Sequence, residues 1–97
     1  MNGIDTDVVA AIAQEVAAQV GELRFNLWFK DNARLEITDH ELVVGVPNLF
    51  FQEWLNSNFL TPLRKATEIV TGRKLPVRMV VDGEMFRALR SREEKNG

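Results

Sequence analysis

Apolar residues recur with a helical period near the start of the chain. When the residues are placed about 100° apart, one stripe collects Val9, Ile12, Ala13, Val16 and Val20. Glutamine and glutamate side chains occupy the opposite stripe. The pattern predicts a helix from about Asp7 to Val20, with Asp5 or Thr6 as its N-cap.

A second, shorter helix is predicted immediately after Gly21. In the segment GELRFNLWFK, three aromatic residues recur at positions i, i+3 and i+4, namely Phe25, Trp28 and Phe29. Large rings in a small domain are usually buried. We therefore expect these three side chains to anchor the core and assign them no chemistry.

The period changes to two from Ala33 onward, which is typical of β-strands. Leu35 and Ile37 alternate with polar residues, and a second alternating run follows from Leu42 to Val46. The intervening segment, TDHE, suits a tight hairpin turn in which His40 is a solvated residue. A third strand is predicted after Gly72, where Leu75, Val77, Met79 and Val81 alternate with other residues.

The longest element is predicted between Val46 and Gly72. Asn48 is a suitable N-cap and Gly72 a suitable stop. One apolar stripe contains Phe51, Leu55, Asn58, Phe59, Ala66, Ile69 and Val70, with Trp54 at its margin. Pro62 removes a backbone donor, so that either the helix kinks or Thr61 caps a second segment. Because the stripe continues through Pro62, we expect one kinked helix.

Two apolar residues in the first turn of this helix do not belong to its stripe. Leu49 lies nearly opposite the stripe and Phe50 lies well outside it. The core does not obviously require these side chains, so they are candidates for binding a partner. For Phe50 the alternative is a lid over the edge of the sheet, and for Asn48 it is a purely structural cap.

The order helix, helix, strand, strand, helix, strand predicts an α+β fold. In this two-layer plan a three-stranded sheet packs under the helices. We expect one domain over residues 7–82, preceded by a short lead over 1–6 and followed by a charged tail over 83–97.

Composition excludes several classes of function. With no cysteine and one histidine, the chain lacks the usual ligands for zinc, and a disulfide framework is impossible. Nucleotide-binding and hydrolase motifs of the types GxxxxGK[ST], GxGxxG and GxSxG are also missing from the sequence. We therefore expect no enzyme activity and no cofactor. Without a basic leader or a long apolar run, we expect a cytoplasmic protein that makes no contact with membranes.

The charge balance allows only weak binding of nucleic acid. The net charge is −2, so phosphate would have to be attracted by a local patch. The candidate residues for such a basic edge are Arg64, Lys65, Arg73, Lys74 and Arg78. Weak binding of single-stranded nucleic acid is therefore the alternative function, although these charges also suit a solvated surface.

Several motifs together resemble the N-terminal domain family of the bacterial chromosomal replication initiator DnaA. The chain has Phe-x-x-Trp at Phe25 and Trp28 and Pro-Asn-x-Phe-x-x-x-Trp from Pro47 to Trp54. The segment TGRKLPVRMVV then provides the last strand. The resemblance covers roughly residues 7 to 82, with matching order and spacing of the elements.

The resemblance implies a fold similar to a K-homology domain, used for protein interactions. Domains of this family self-associate weakly, contact the replicative helicase and bind regulators of initiation. The family's asparagine and phenylalanine at the start of the third helix correspond to Asn48 and Phe50. We therefore expect the partner-binding residues to be Glu22, Arg24, Asn48, Leu49 and Phe50.

The chain departs from the family pattern at three places. Some relatives have an acidic residue before Phe-x-x-Trp that contacts the helicase, whereas this chain has Arg24, with Glu22 two residues earlier. Val9 occupies the best match to a tryptophan that supports self-association, so we expect a monomer or a weak dimer. The K-homology GxxG loop is missing, since the candidate turns read GVPN and TGRK. The sequence is either a piece of an initiator or an independent protein that shares this domain.

Overall fold

The computed structural model describes residues 3–84, which form an α+β fold with four helices and one sheet. In chain order, the elements are α1 (Gly3–Val20), α2 (Glu22–Trp28), β1 (Arg34–Ile37), β2 (Leu42–Val46), α3 (Leu49–Asn58), α4 (Leu60–Thr71) and β3 (Val77–Val81). This order confirms the predicted fold class, except that the long helix is divided in two. Most of the predicted tail lies outside the described residues.

The three strands form an open mixed sheet with β2 in the centre. β1 and β2 are antiparallel, and Ile37 lies opposite Leu42 in their register. β3 runs parallel to β2, from Val77 beside Leu42 to Val81 beside Val46. A parallel pair requires a long crossover, which α3 and α4 provide. As a result, the end of β3 lies close to the start of α3.

Thr38 organises the turn between β1 and β2. Its Oγ1 atom accepts hydrogen bonds from the backbone N–H groups of His40 and Glu41, each at 3.1 Å. The N–H of Thr38 in turn donates to the carbonyl of Glu41 at 3.0 Å. His40 is exposed, which confirms that it is a solvated turn residue.

The core lies between the helices and one face of the sheet. Its fully buried or nearly buried residues are Ile12, Val16, Phe29, Leu42, Val44, Val46, Leu55, Phe59, Leu63 and Ala66. Phe25 and Trp28 are half-buried and pack against this cluster. The fully buried residues come mainly from α1, β2, α3 and α4, whereas α2 itself contributes none of them and the buried Phe29 follows its last residue.

The first helix begins earlier than the pattern predicts. It starts at Gly3 and not at Asp7, so Asp5 and Thr6 lie inside the helix and are not its N-cap. Acidic residues are stabilised both at the cap and in the first turn of a helix, because both positions are close to the positive end of the dipole. The sequence signal therefore could not locate the first residue.

The prediction of one kinked helix between Val46 and Gly72 is wrong. The chain divides at Phe59, whose φ of −120° and ψ of −3° are not helical and whose side chain is buried. Phe59, and not Thr61, occupies the N-cap position of α4. Pro62 is the third residue of α4, where a backbone N–H has no partner within the helix, so the proline breaks no bond there.

The break also shifts the buried stripe of the second half. Leu63, Ala66 and Thr67 are buried in α4, and the Thr67 hydroxyl donates to the Leu63 carbonyl at 2.7 Å. Ile69 was predicted on the stripe but is 57% exposed, and Asn58 is also exposed. A stripe drawn through a continuous helix cannot hold its phase across a residue that leaves the helical conformation.

Candidate partner-binding surface

Asn48 is the N-cap of α3, as predicted. Its backbone is extended and its Oδ1 atom accepts a hydrogen bond from the Phe51 N–H at 3.0 Å. The carbonyl of Asn48 accepts the first bond of the helix, from the Gln52 N–H at 3.1 Å. Asn48 therefore fixes the direction of the first turn, and with it the direction of the two side chains that follow.

Leu49 and Phe50 project from that first turn into solvent. Leu49 is 63% exposed and Phe50 is 59% exposed. Both residues were predicted outside the packing stripe, and the structure confirms this. The alternative, in which Phe50 is a lid over the edge of the sheet, stays a prediction, although more than half of the surface of Phe50 is accessible.

Phe50 packs against a cluster of aromatic rings from α2 and α3. Trp28 of α2 stacks on Trp54 of α3 with ring centroids 4.0 Å apart and an interplanar angle of 15°. The Phe50 ring lies 6.5 Å from Trp28 and makes an edge contact with Phe51 at 5.3 Å. A ring held by neighbours loses little conformational freedom when it binds a partner, so the position of Phe50 suits the predicted binding role.

The structure adds two exposed leucines on α2 that the sequence analysis did not single out. Leu23 is 82% exposed and Leu27 is 64% exposed, and their i, i+4 spacing places both on one side of the helix. The available signal was that Phe25, Trp28 and Phe29 already supply the core-facing positions. Any further leucine on so short a helix is therefore surplus to the core.

Glu22 and Arg24 are exposed on α2, as the predicted surface requires. The Arg24 guanidinium carbon lies 5.6 Å from the centroid of the Phe59 ring, at cation–π distance. Within residues 3–84, the rings of Trp28 and Phe50 connect the α2 side of the predicted surface to its α3 side. We define the α2/α3 surface as Glu22, Leu23, Arg24, Leu27, Asn48, Leu49 and Phe50.

Two of the five predicted nucleic-acid residues have other partners. Arg78 donates from Nε and Nη2 to the carboxylate of Glu41, at 3.1 and 2.9 Å. The hydrogen bond from Arg78 holds the pKa of Glu41 below its usual range, and the same bond raises the pKa of Arg78. Arg73 donates to the carbonyl of Asp39 at 2.7 Å.

The other three basic residues, Arg64, Lys65 and Lys74, are exposed. Arg64 and Lys65 belong to α4, whereas Lys74 lies in the segment before β3. Because Glu41 balances the charge of Arg78, the basic edge is weaker than its sequence suggests. Binding of nucleic acid stays a prediction.

Val9 lines an open depression beside β1. The depression encloses about 490 Å³ and is lined by Thr6, Val9, Leu35, Glu36, Ile37 and Thr38. Val9 was predicted on the core stripe, but it is only half-buried, and its neighbour Val8 is the residue that packs against the core. Self-association through Val9 stays a prediction.

Metal-ligating side chains do not cluster in the described part of the chain. Across residues 3–84 there is no group of three or more metal-ligating side chains. In the same range, every helix is too short or too polar to cross a membrane. The notable chemistry of the surface is therefore apolar and aromatic.

The sequence profile of the DnaA N-terminal domain matches residues 7–68. The chain belongs to this family. In this DnaA N-terminal domain, the Phe-x-x-Trp motif supplies Trp28, which stacks on Trp54. The Pro-Asn-x-Phe-x-x-x-Trp motif supplies the helix cap Asn48, the exposed Phe50 and Trp54.

Over the aligned segments, three curated relatives are about one-third identical to this DnaA N-terminal domain. A chromosomal replication initiator protein DnaA of Thermodesulfovibrio yellowstonii is 32% identical over 73 residues, 75% of this chain and 17% of the relative. DnaA proteins of Thermotoga sp. (strain RQ2) and Thermotoga maritima are each 34% identical over 61 residues, 63% of this chain and 14% of the relative. The chain therefore spans only about a sixth of these relatives.

Proposed function

We propose that this chain is a non-enzymatic protein-interaction module that acts in chromosomal replication initiation or its regulation. The observation that carries the proposal is the Phe50 ring, 59% exposed and supported by the stacked pair Trp28 and Trp54. Exposed aromatic anchors surrounded by smaller contacts are typical of binding hot spots. The relatives that share this domain are chromosomal replication initiator proteins.

The proposed docking site is the α2/α3 surface. Leu49 next to Phe50 in the chain and Leu27 next to Trp28 add exposed apolar area, and Glu22 and Arg24 of α2 add charge of both signs. A small apolar centre with a charged rim favours a protein partner. The partner classes that we propose are the replicative helicase, regulators of initiation and the initiator itself.

Two finer features belong to the same proposal. The mixed sheet under its helices suits an arrangement similar to a K-homology domain, reached without a GxxG loop. The chain is also proposed to self-associate weakly, as a monomer in exchange with a dimer, and to act in the cytoplasm.

The test is a comparison of Phe50→Ala with Ile69→Ala. Both residues are exposed to a similar extent, at 59% and 57%, but Ile69 lies on α4, outside the α2/α3 surface. Binding to the purified replicative helicase and to the full-length initiator is measured by biolayer interferometry. We expect Phe50→Ala to weaken binding by about tenfold or more, as for an aromatic hot spot, and Ile69→Ala to leave it unchanged.

Thermal unfolding of both variants distinguishes docking from folding. The melting temperature of Phe50→Ala should stay within a few degrees of the parent protein, since an exposed side chain contributes little to stability. A large drop in melting temperature would show that Phe50 is a core residue. Unchanged binding of Phe50→Ala to every partner tested would remove the docking proposal.

A further inference from the structure

The edge of the sheet at β1 has backbone groups that point outward. The Thr38 N–H bonds to the Glu41 carbonyl, whereas the Leu42 N–H bonds to Pro76 on the β3 side. In an antiparallel pair, inward and outward peptide groups alternate along each strand. The N–H and C=O groups of Leu35 and Ile37 therefore point away from β2, toward the edge.

The side chains of β1 divide into two chemically distinct sets. Leu35 and Ile37 are half-buried on the helix side and line the depression beside Val9. Arg34 and Glu36 are exposed and project from the other face of the sheet. Within residues 3–84, neither of these two charged side chains takes part in an ion pair. An uncovered edge with outward amides is a template for another strand.

We propose that β1 pairs with β1 of a second copy of this chain, antiparallel and about a two-fold axis. The two three-stranded sheets then join into one six-stranded sheet across the dimer. This inference deepens the self-association in the proposed function and names its surface. It does not involve Phe50, so docking at the α2/α3 surface stands or falls separately.

The charges of β1 select one register. Because only Leu35 and Ile37 point their amides outward, a hydrogen-bonded pair must join residues of this set. When Leu35 faces Leu35 of the second copy, Arg34 faces Glu36 of the second copy on both sides of the axis. Opposite charges placed directly across two strands stabilise the pair. A shift to the next register brings Glu36 opposite Glu36, which is unfavourable.

The depression beside β1 has room for the incoming side chain. Residues that face each other in a ladder lie on the same side of the sheet, so Leu35 of the second copy enters beside Leu35 and Val9. The depression of about 490 Å³ is open at this edge. Since β1 has four residues, the paired area is small and the dimer should form only at high protein concentration.

The test uses charge reversal on the full 97-residue chain. Arg34→Glu places like charges opposite each other in the pair, and so does Glu36→Arg. Dimerisation is measured by sedimentation velocity at up to about 1 mM protein, a range suited to weak association. The dissociation constant of the dimer should be about tenfold or more higher for each variant than for the parent chain. An equimolar mixture of the two variants should form the dimer again, because each acidic strand then faces a basic one.

Three controls complete the experiment. Lys65→Glu changes an exposed charge by the same amount on α4 and should leave the dimer intact. Circular dichroism melting should confirm that Arg34→Glu and Glu36→Arg are folded. The double variant that exchanges both charges should dimerise like the parent chain.

Two results would overturn the inference. A dimer that is insensitive to both reversals lies on another surface, in which case self-association stands and the β1 edge does not. A chain that stays monomeric at 1 mM removes both the edge and self-association, while binding through Phe50 remains to be judged by its own assay.

Discussion

Asn48 shows how one residue can serve both folding and recognition. Its side chain caps α3 by accepting a hydrogen bond from the Phe51 N–H. The cap also fixes the direction in which the exposed side chains of Leu49 and Phe50 project from the first turn. A contribution to partner binding could therefore be direct or could pass through the helix. The two roles are separable because other residues also cap helices well.

Asn48→Ala should lower the free energy of unfolding by about 1 kcal/mol, because the Phe51 N–H loses its acceptor. Asn48→Ser and Asn48→Asp should retain most of the stability, since both supply an oxygen at the same place. Urea unfolding of the three variants measures this order. If all three equally reduce stability, the side-chain bond to Phe51 is not the source of the stabilisation.

The same variants separate capping from docking. If Asn48 touches the partner, Asn48→Ser should keep its stability and still bind more weakly in the interferometry assay. If Asn48 acts only as a cap, Asn48→Ser should bind like the parent chain. Either result assigns the role of this side chain without dependence on the Phe50 experiment.

At the scale of single elements, the buried face of α4 can be tested by mutation, because it differs from the predicted stripe. Leu63 is fully buried, whereas Ile69 is 57% exposed. Leu63→Ala should cost about 2 to 5 kcal/mol, the range for a leucine cavity in a core. Ile69→Ala should stay within about 0.5 kcal/mol of the parent, as for an ordinary surface change. Denaturant unfolding compares the two, and equal losses would contradict the observed phase of α4.

The ion pair between Glu41 and Arg78 ties the hairpin to β3. Because the pKa of Glu41 is lowered in the folded protein, its contribution to stability is present above the pKa of the unfolded state. The contribution is lost as the pH falls through the lowered value. The melting-temperature difference between the parent and Glu41→Gln should therefore be largest near pH 7 and shrink below about pH 4.

The matched control for this pair is Glu68→Gln, which removes an exposed carboxylate from α4. Its melting temperature over the same pH range gives the general effect of removing one carboxylate, against which the effect of the Glu41–Arg78 pair is compared. A Glu41→Gln curve that runs parallel to the parent from pH 7 to pH 3 would show that the pair adds no measurable stability. Many surface ion pairs add no measurable stability, so the pH profile is the informative measurement.

The sequence predicted the strands of this fold more accurately than its helix ends. Alternation from Leu35 to Val46 identified the hairpin because a strand with one buried face has an unambiguous period. The start of α1 and the break at Phe59 were missed. The first has acidic residues that suit several positions, and the second depends on the backbone angles of a buried phenylalanine.

At the scale of the whole molecule, a candidate surface could be predicted where a helix carries more apolar residues than its core-facing stripe contains. Leu49 and Phe50 were found because a long stripe already accounted for the core, whereas Leu23 and Leu27 lie on a helix too short to show one. The β1 edge could not be found in this way. Whether a strand is central or peripheral depends on the strand order, which periodicity does not encode.

The two proposed surfaces share no residues. The α2/α3 surface is built on helices, whereas the proposed self-pairing uses the backbone edge of β1. A dimer joined at β1 would carry two Phe50 rings, so that a partner with repeated sites could be held at two points. Linked binding of this kind strengthens attachment without any new contact.

The stacked indoles of Trp28 and Trp54 have an optical consequence. They are the two tryptophans of the chain, lie 4.0 Å apart and are nearly parallel. Electronic transitions of rings this close couple to each other, so the circular dichroism and the intrinsic fluorescence report directly on the contact between α2 and α3. Because Phe50 touches Trp28, a ligand that settles on that ring should change the emission, and the protein supplies its own unlabelled probe for a binding titration.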